Sequence, residues 1–264
     1  MPDSLEVEND GRLRVLRLNR PARKNALDGE LLRAITAAVR DAAHDDDVWA
    51  LALTGNGDAF CSGLDLAAND SDEDDGVDRT SPQDDTADRF AWVMRVECEK
   101  PILAGVNGIA VGIGVSLAMA ADFRIAAPSA RFHPGYARVG TSPDGGATVT
   151  ISQALGYEGA MRFFLEQRMV SATEARDIGL VGEVAESEAE FEDRFLAYGR
   201  MLAGIAPIAA QQTKRLVSRV ATPAEFRAQL DEEIRLALHG LSTEDSSEAI
   251  RAMMTKGSPR FQGR

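Results

Sequence analysis

Hydrophobic and polar positions alternate over Leu5 to Asn9 and again over Leu13 to Leu18, which predicts two strands with Asp10-Gly11 as the hairpin turn between them. The period then changes. Leu31, Leu32, Ile35 and Val39 fall on one face of a helix that Asp28 caps and that runs to about Ala43. Val48 to Thr54, VWALALT, is a compact apolar strand ending in Gly55-Asn56-Gly57, and Phe90 to Glu99 reads as a helix with Phe90, Val93, Met94 and Glu97 on one side. Arg124 to Ala126 and Ala130 to Phe132 predict short strands. Thr148 to Leu155, Gly159 to Leu165 and a segment opened by Ser171 predict helices, the last with Glu174 completing a capping box. Beyond about Phe191 the pattern is wholly helical.

Pro101 to Ala126 organises the rest. It starts as a buried strand (Ile102 to Val106), turns at Asn107-Gly108, and passes through Gly112 and Gly114 into an Ala-rich helical segment, Val115 to Ala121. A strand that breaks through glycines into a helix leaves backbone N–H groups free at the positive end of the macrodipole. Such a site suits a phosphate or a carbonyl oxygen that becomes an oxyanion. The same glycines also serve tight helix–strand packing. A dinucleotide fingerprint fits less well, because the run from Gly112 reads G-I-G-V-S-L and lacks the third glycine.

Composition narrows the classes. With 264 residues and 44% hydrophobic content, the chain can form one generous domain or a core with a smaller appendage. The opening MPDSLEVEND is acidic and lacks an apolar core, so no secretory leader is expected. No apolar run approaches the roughly 20 residues that span a bilayer. Two cysteines, Cys61 and Cys98, indicate no disulfide framework and make a cytoplasmic location the expectation. A net charge of −13 argues against nucleic acid or an anionic membrane as partner. From Asn69 to Asp88 the chain carries nine acids and one arginine and is expected to be solvated and mobile; the spacing matches no EF-hand loop, and no metal site is expected.

AFCSGLDL (Ala59 to Leu66), followed by KPILAGVNGIAVGIGVSLAMAADFRIA (Lys100 to Ala126), strongly resembles the crotonase, or enoyl-CoA hydratase/isomerase, family. NRPARKNAL at Asn19 to Leu27, the His133 to Ala147 segment, the strand at Gly179 to Val184 and the C-terminal helices extend the resemblance over almost the whole chain. The implied fold is α/β: a crotonase-like spiral of repeated ββα units over residues 1–190 holding an acyl-CoA site, with a helical C-terminal trimerisation region over 191–264. The implied partners are an acyl-CoA substrate and further copies of the chain, as a homotrimer or dimer of trimers, with coenzyme A arriving as part of the substrate and no separate cofactor. Arg23 and Lys24 become candidates for its phosphates in a chain otherwise short of positive charge. The N–H groups of Leu64 and Ile113 become the oxyanion-hole donors, with Gly63 and Gly112 permitting close approach of the thioester. Ala59, Cys61, Asp65 and Leu66 fall in the same substrate-binding stretch, and the acidic segment falls where relatives vary beside the acyl pocket.

The reaction is a separate matter, since the family runs several chemistries on one scaffold. Hydratase members hold a water between two glutamates. The resemblance puts Ser116 and Tyr136 at those positions, and both side chains have pKa values too high to replace a carboxylate simply. Asp144, in SPDGGAT, stands where isomerase-like relatives carry an acid that shuttles a proton along the acyl chain. An aspartate after proline and before Gly-Gly is also an ordinary turn and capping residue. The reading favoured here is isomerisation of a 3-enoyl-CoA to a 2-enoyl-CoA, with Ser116 and Tyr136 lining the substrate. Hydration of a 2-enoyl-CoA, a dehalogenase-like hydrolysis with Asp144 as nucleophile, and a non-catalytic acyl-CoA binder are the alternatives. The dehalogenase-like reading wants a histidine base, and there is none between His44 and His133.

Overall fold

The computed structural model describes residues 3–65, 89–218 and 223–260. Leu66 and the acidic segment therefore lie outside the described residues. The alternating stretches form β1 (Leu5–Asp10) and β2 (Leu13–Leu18), paired antiparallel. Asp28 caps α1 (Gly29–His44) by accepting the Leu31 N–H at 2.8 Å, and the apolar stripe of α1 is buried as its spacing requires.

After α1 the chain winds through repeated strand–strand–helix units. The first strand of each unit joins one sheet: β3 (Ala50–Gly55), β5 (Ile102–Val106) and β7 (Phe123–Ala126) run parallel to β2, with β10 (Glu183–Val184) at the far edge. The second strand of each unit joins a smaller sheet of β4 (Ala59–Cys61), β6 (Ile109–Val111) and β8 (Arg131–His133), closed antiparallel by β9 (Val170–Ser171). Helices follow each pair: α2 (Phe90–Trp92), which continues as a π-helical turn over Val93–Glu97, then α3 (Ile113–Ala120), then α4 (Ala147–Glu166). Parallel strands covered on both faces read as unbroken apolar runs, and every residue of β3 and β5 is buried. All eight residues of α3 are buried too, which only its Gly and Ala positions allow in so crowded a layer.

Two predicted helices, Thr148 to Leu155 and Gly159 to Leu165, are a single α4 kinked at Gly156. Ser171 caps α5 (Ala172–Asp177) by accepting the Glu174 N–H. The helical C-terminal stretch begins at Glu188 and packs on the strands. In α6 (Glu188–Ala203), Phe191 and Phe195 stack on each other and share a core with Leu13, Val15, Ala50, Ala52 and Leu103. The chain ends in α7 (Pro207–Ser218), α8 (Pro223–Leu241) and α9 (Glu244–Met254). Here α8 and α9 return to the spiral: Leu230 enters its main core, Thr141 Oγ1 donates to the Ala237 carbonyl at 2.9 Å, and Ser246 Oγ donates to the Val139 carbonyl at 2.7 Å. Among the described residues no helix is long and apolar enough to cross a membrane, and no cluster of three metal-ligating side chains occurs.

Candidate active site

Two backbone segments meet where β4 leaves its sheet and α3 begins. Two asparagines fix the first segment. Asn25, fully buried with φ 55°, accepts the Arg20 N–H at 2.9 Å and donates to the carbonyls of Asn56 at 3.0 Å and Ala59 at 2.7 Å. From the other side, Asn107 accepts the Gly55 N–H at 3.2 Å and donates to Gly57 and Ala59 at 3.0 and 3.3 Å. Beyond Cys61, the Leu27 N–H donates to the Gly63 carbonyl and the Asp65 N–H to the Leu27 carbonyl, both at 2.8 Å. In this parallel register the N–H of Leu64 itself points away from Leu27. Asp65 is buried and accepts from Arg20 Nη2 at 2.8 Å, while Arg20 also reaches Asp28 at 3.1 Å, so the turn is anchored by charge as well as by backbone.

The second segment is the start of α3. Gly112, at φ 52° and ψ −125°, precedes the helix and donates its N–H to the His133 carbonyl at 3.0 Å. Ile113 is the first helical residue, so its N–H has no acceptor within the helix and sits at the positive end of the dipole. The two segments touch closely. A Cβ on Gly63 (φ 103°) would lie 3.0 Å from the Val111 carbonyl oxygen, and one on Gly114 would lie 2.4 Å from that of Cys61. Leu64 is 39% exposed and Ile113 4%, so the two amides lie at a boundary between solvent and core. The Cys61 thiol points into that core, and burial pushes it up to about 12, which removes it as a nucleophile near neutral pH.

Ser116, Tyr136 and Asp144 come together beside this junction. Ser116 Oγ hydrogen-bonds the Tyr136 hydroxyl and reaches the Asp144 carbonyl at 3.1 Å. The Tyr136 hydroxyl also interacts with the Asp144 carboxyl group. Burial first, and then the negative charges of Asp144 and Glu233, hold the phenol protonated well above its usual range. Asp144 Oδ1 is sealed from solvent. A Cβ on Gly145 would lie 2.7 Å from the Phe90 ring and 3.0 Å from Ser116 Cβ, so the turn after Asp144 packs directly on α2 and α3.

Other candidates lie apart from this cluster. His133 Nε2 is 2.9 Å from the Gln167 carbonyl, and burial lowers its pKa. Arg23 and Lys24 are exposed at the end of a short 3-10 turn, and Lys24 Nζ pairs with Asp58. A separate cavity of about 540 Å³ opens at the other end of α3, lined by Arg95, Arg124, Gln153 and Lys214, and includes none of the candidate site residues.

A sequence profile of enoyl-CoA hydratase/isomerase matches residues 8–264. The chain belongs to that family. It is 32% identical over 267 residues to a probable enoyl-CoA hydratase of Mycobacterium bovis, covering 99% of both chains. It is 31% identical over 255 residues to the 1,2-epoxyphenylacetyl-CoA isomerase of Escherichia coli, covering 94% of each. Among solved structures it resembles an enoyl-CoA hydratase/isomerase of Pseudoalteromonas atlantica with a TM-score of 0.88 and 31% identity, covering 98% of this chain and 100% of that one. The protein is thus an acyl-CoA enzyme of the hydratase/isomerase family, with the parallel-sheet α/β fold of its relatives. Sequence patterning leaves three of the site's supports unmarked: Asn25, Asn107 and Glu233. Asn107 reads as a turn residue, Asn25 enters only as part of the NRPARKNAL stretch, and Glu233 stands in a helical segment with nothing to single it out.

Proposed function

We propose that this enzyme moves the double bond of a 3-enoyl-CoA to the 2-position, with Asp144 as the proton carrier. The backbone N–H groups of Leu64 and Ile113 bind the thioester oxygen, which acidifies the C2 protons. The Asp144 carboxylate removes one of them, the electron pair left at C2 delocalises onto the thioester oxygen and, through the C3–C4 double bond, onto C4, and the two amides hold that dienolate. The protonated Asp144 returns its proton at C4, leaving the conjugated 2-enoyl thioester, so atoms and charge balance without water or cofactor. Each preorganised oxyanion donor contributes on the order of 10²–10³ in turnover. Arg23 and Lys24 meet the coenzyme A phosphates; the exposed Lys24–Asp58 pair is worth little, so phosphate displaces Asp58 at small cost.

One observation carries this reading: Asp144 is the carboxylate beside a closed Ser116–Tyr136 hydroxyl pair. Hydration needs two groups that bind a water, one taking its proton while the other supplies one to carbon. A serine and a phenol bonded to each other, the phenol held neutral, supply neither base. An isomerase needs one carboxylate with reach to C2 and C4. The likeness to an isomerase of Escherichia coli is consistent with this, and the hydratases among the relatives make hydration the competing outcome.

The test offers the wild type a 3-enoyl-CoA and a 2-enoyl-CoA, then repeats both with Asp144→Asn. Isomerisation should fall at least about 10³-fold in the variant, a typical loss for a general base, with acyl-CoA affinity within a few-fold. Rapid hydration of the 2-enoyl substrate that survives in Asp144→Asn would show the wrong carboxylate and the wrong reaction.

A further inference from the structure

The proposed reaction leaves one deeply buried acid unused. Glu233, on α8, is 3% exposed. Its Oε2 accepts the Gly146 N–H at 2.7 Å, and its Oε1 accepts the Thr148 N–H at 3.1 Å and the Thr148 hydroxyl. Gln229, one turn earlier, donates to Thr148 Oγ1 at 2.8 Å, which directs the hydroxyl hydrogen toward the carboxylate. Each of these contacts is donated to Glu233, so its ionised form is the one they satisfy.

The residues it holds are those that follow Asp144. Gly145 and Gly146 both have positive φ, 62° and 77°, and Gly146 precedes α4 with no side chain of its own to cap the helix. Two adjacent glycines form a pliable joint between Asp144 and α4, and an isolated turn of this composition would sample many conformations. Glu233 closes the joint from across 87 residues of sequence.

We infer that Glu233 is a positioning residue, whose carboxylate clamps the Gly145-Gly146 joint and thereby fixes where the Asp144 side chain meets the substrate. This rests on the reading of Asp144 as the proton carrier. Burial pushes Glu233 up to about 7, while its three hydrogen bonds pull the other way. Protonation puts a hydroxyl where a backbone N–H now donates and removes one contact of the clamp. The charged and titratable groups around it are few. Tyr136 feels its charge from the loop before α4, where Asp144 also lies; Asp231, on the preceding half-turn of α8, pairs with Arg89 at a separation of 3.5 Å; and Glu232 with Arg235 form an exposed pair on α8. α4 presents Gly146 and Thr148, and α9 presents Ser246 to the same loop. No cation pairs with Glu233 among the described residues.

The test is Glu233→Gln, which keeps the shape but turns an amide NH₂ toward one of the two backbone donors. Amide hydrogen exchange at Gly146 and Thr148, normalised to unstructured peptide, needs no substrate and should accelerate about tenfold to a hundredfold at pH 8, as for loss of one charge-assisted hydrogen bond. In the wild type, a local opening of the joint leaves Glu233 buried but without its N–H donors, which favours its protonated form, so the same amides should lose protection as pH falls through about 7. With 3-enoyl-CoA, kcat should drop by a similar factor with KM within a few-fold, and the part of the acidic limb of the wild-type kcat profile that lies near pH 7 should disappear. Glu233→Asp, which keeps the charge, should retain the limb and provides a second variant if Glu233→Gln folds poorly. Unchanged exchange at Gly146, or faster exchange with kcat and its acidic limb intact, would overturn the assignment. Retained isomerisation in Asp144→Asn would instead sink the underlying reading, so the two failures are told apart.

Discussion

Replacing Gly114 by alanine tests the junction of β4 and α3 with a single methyl group. An added Cβ would sit 2.4 Å from the Cys61 carbonyl oxygen and 2.9 Å from both Cys61 Cβ and Sγ, whereas ordinary contact begins near 3.4 Å. The nearest atom is backbone, in a strand paired to β6, so no side-chain rotation relieves the overlap. The segments carrying the Leu64 and Ile113 amides must therefore part by roughly 1 Å, and a misplacement of that size costs about 10²-fold in rate, or about 2.7 kcal/mol of transition-state stabilisation. Overpacking destabilises a core by about 1–3 kcal/mol. Alanine's better helix propensity returns about 0.8–1 kcal/mol of that. Activity is thus expected to suffer more than stability. Initial rates on a 3-enoyl-CoA, followed by the absorbance of the conjugated thioester, and thermal melts on the same samples give both quantities. A Gly114→Ala enzyme with kcat/KM within about threefold of wild type would refute the claim that these two segments form one rigid oxyanion site.

Three further outcomes follow from the packing. Phe195 is fully buried with its ring against Gly105, where a Cβ would come within 2.5 Å, so Phe195→Ala should cost about 3–5 kcal/mol in chemical denaturation. For Glu233, the folded pKa near 7 lies above the ordinary 4.5, so its contribution to stability is fully present below about 4.5 and lost as pH rises to about 7. Wild-type stability should fall across that window by on the order of 3 kcal/mol relative to Glu233→Gln, as read from denaturation midpoints at each pH. Apolar side chains stand exposed along α4 (Tyr157, Met161, Leu165) and α7 (Ile208, Leu216, Val217), and the protein is expected to cover such faces as a trimer or dimer of trimers. A stable monomer in analytical ultracentrifugation at micromolar concentration would contradict that.

What could be read from the sequence was what short-range periodicity and glycine encode. β1, β2, α1 with its Asp28 cap, the β5–α3 stretch and the Ser171 cap follow from residues within a few positions of each other. The smaller sheet is harder, because strands of two or three residues, such as β6 and β8, are too short to show a period. The π-helical turn at Val93–Glu97 and the continuity of α4 through Gly156 are set by tertiary packing, which local propensity does not report. Motif positions identified Ser116, Tyr136 and Asp144 individually, and the structure brings them into one cluster. The supports of the site were illegible for a different reason. Asn25, Asn107 and Glu233 act through side-chain bonds to backbone 31 to 87 residues away in sequence, and a polar residue looks the same whether water or a distant carbonyl receives it.

The separation between Glu233 and the joint it closes also has a bearing on synthesis. At ~5–20 residues per second, the ribosome delivers Glu233 roughly 4–17 s after Gly146, long after the strands and α3 can have packed. During that interval the Leu64 and Ile113 amides proposed to bind the thioester exist, while the loop with Tyr136 and Asp144 has neither the hydrogen bonds of Glu233 nor the cover of α8 and α9. A nascent chain therefore carries a nearly finished spiral around an unfinished centre, and a chain cut short after α6 would be expected to fold in part without becoming competent. Placing this support in α8 makes function a report that translation has passed well beyond the spiral.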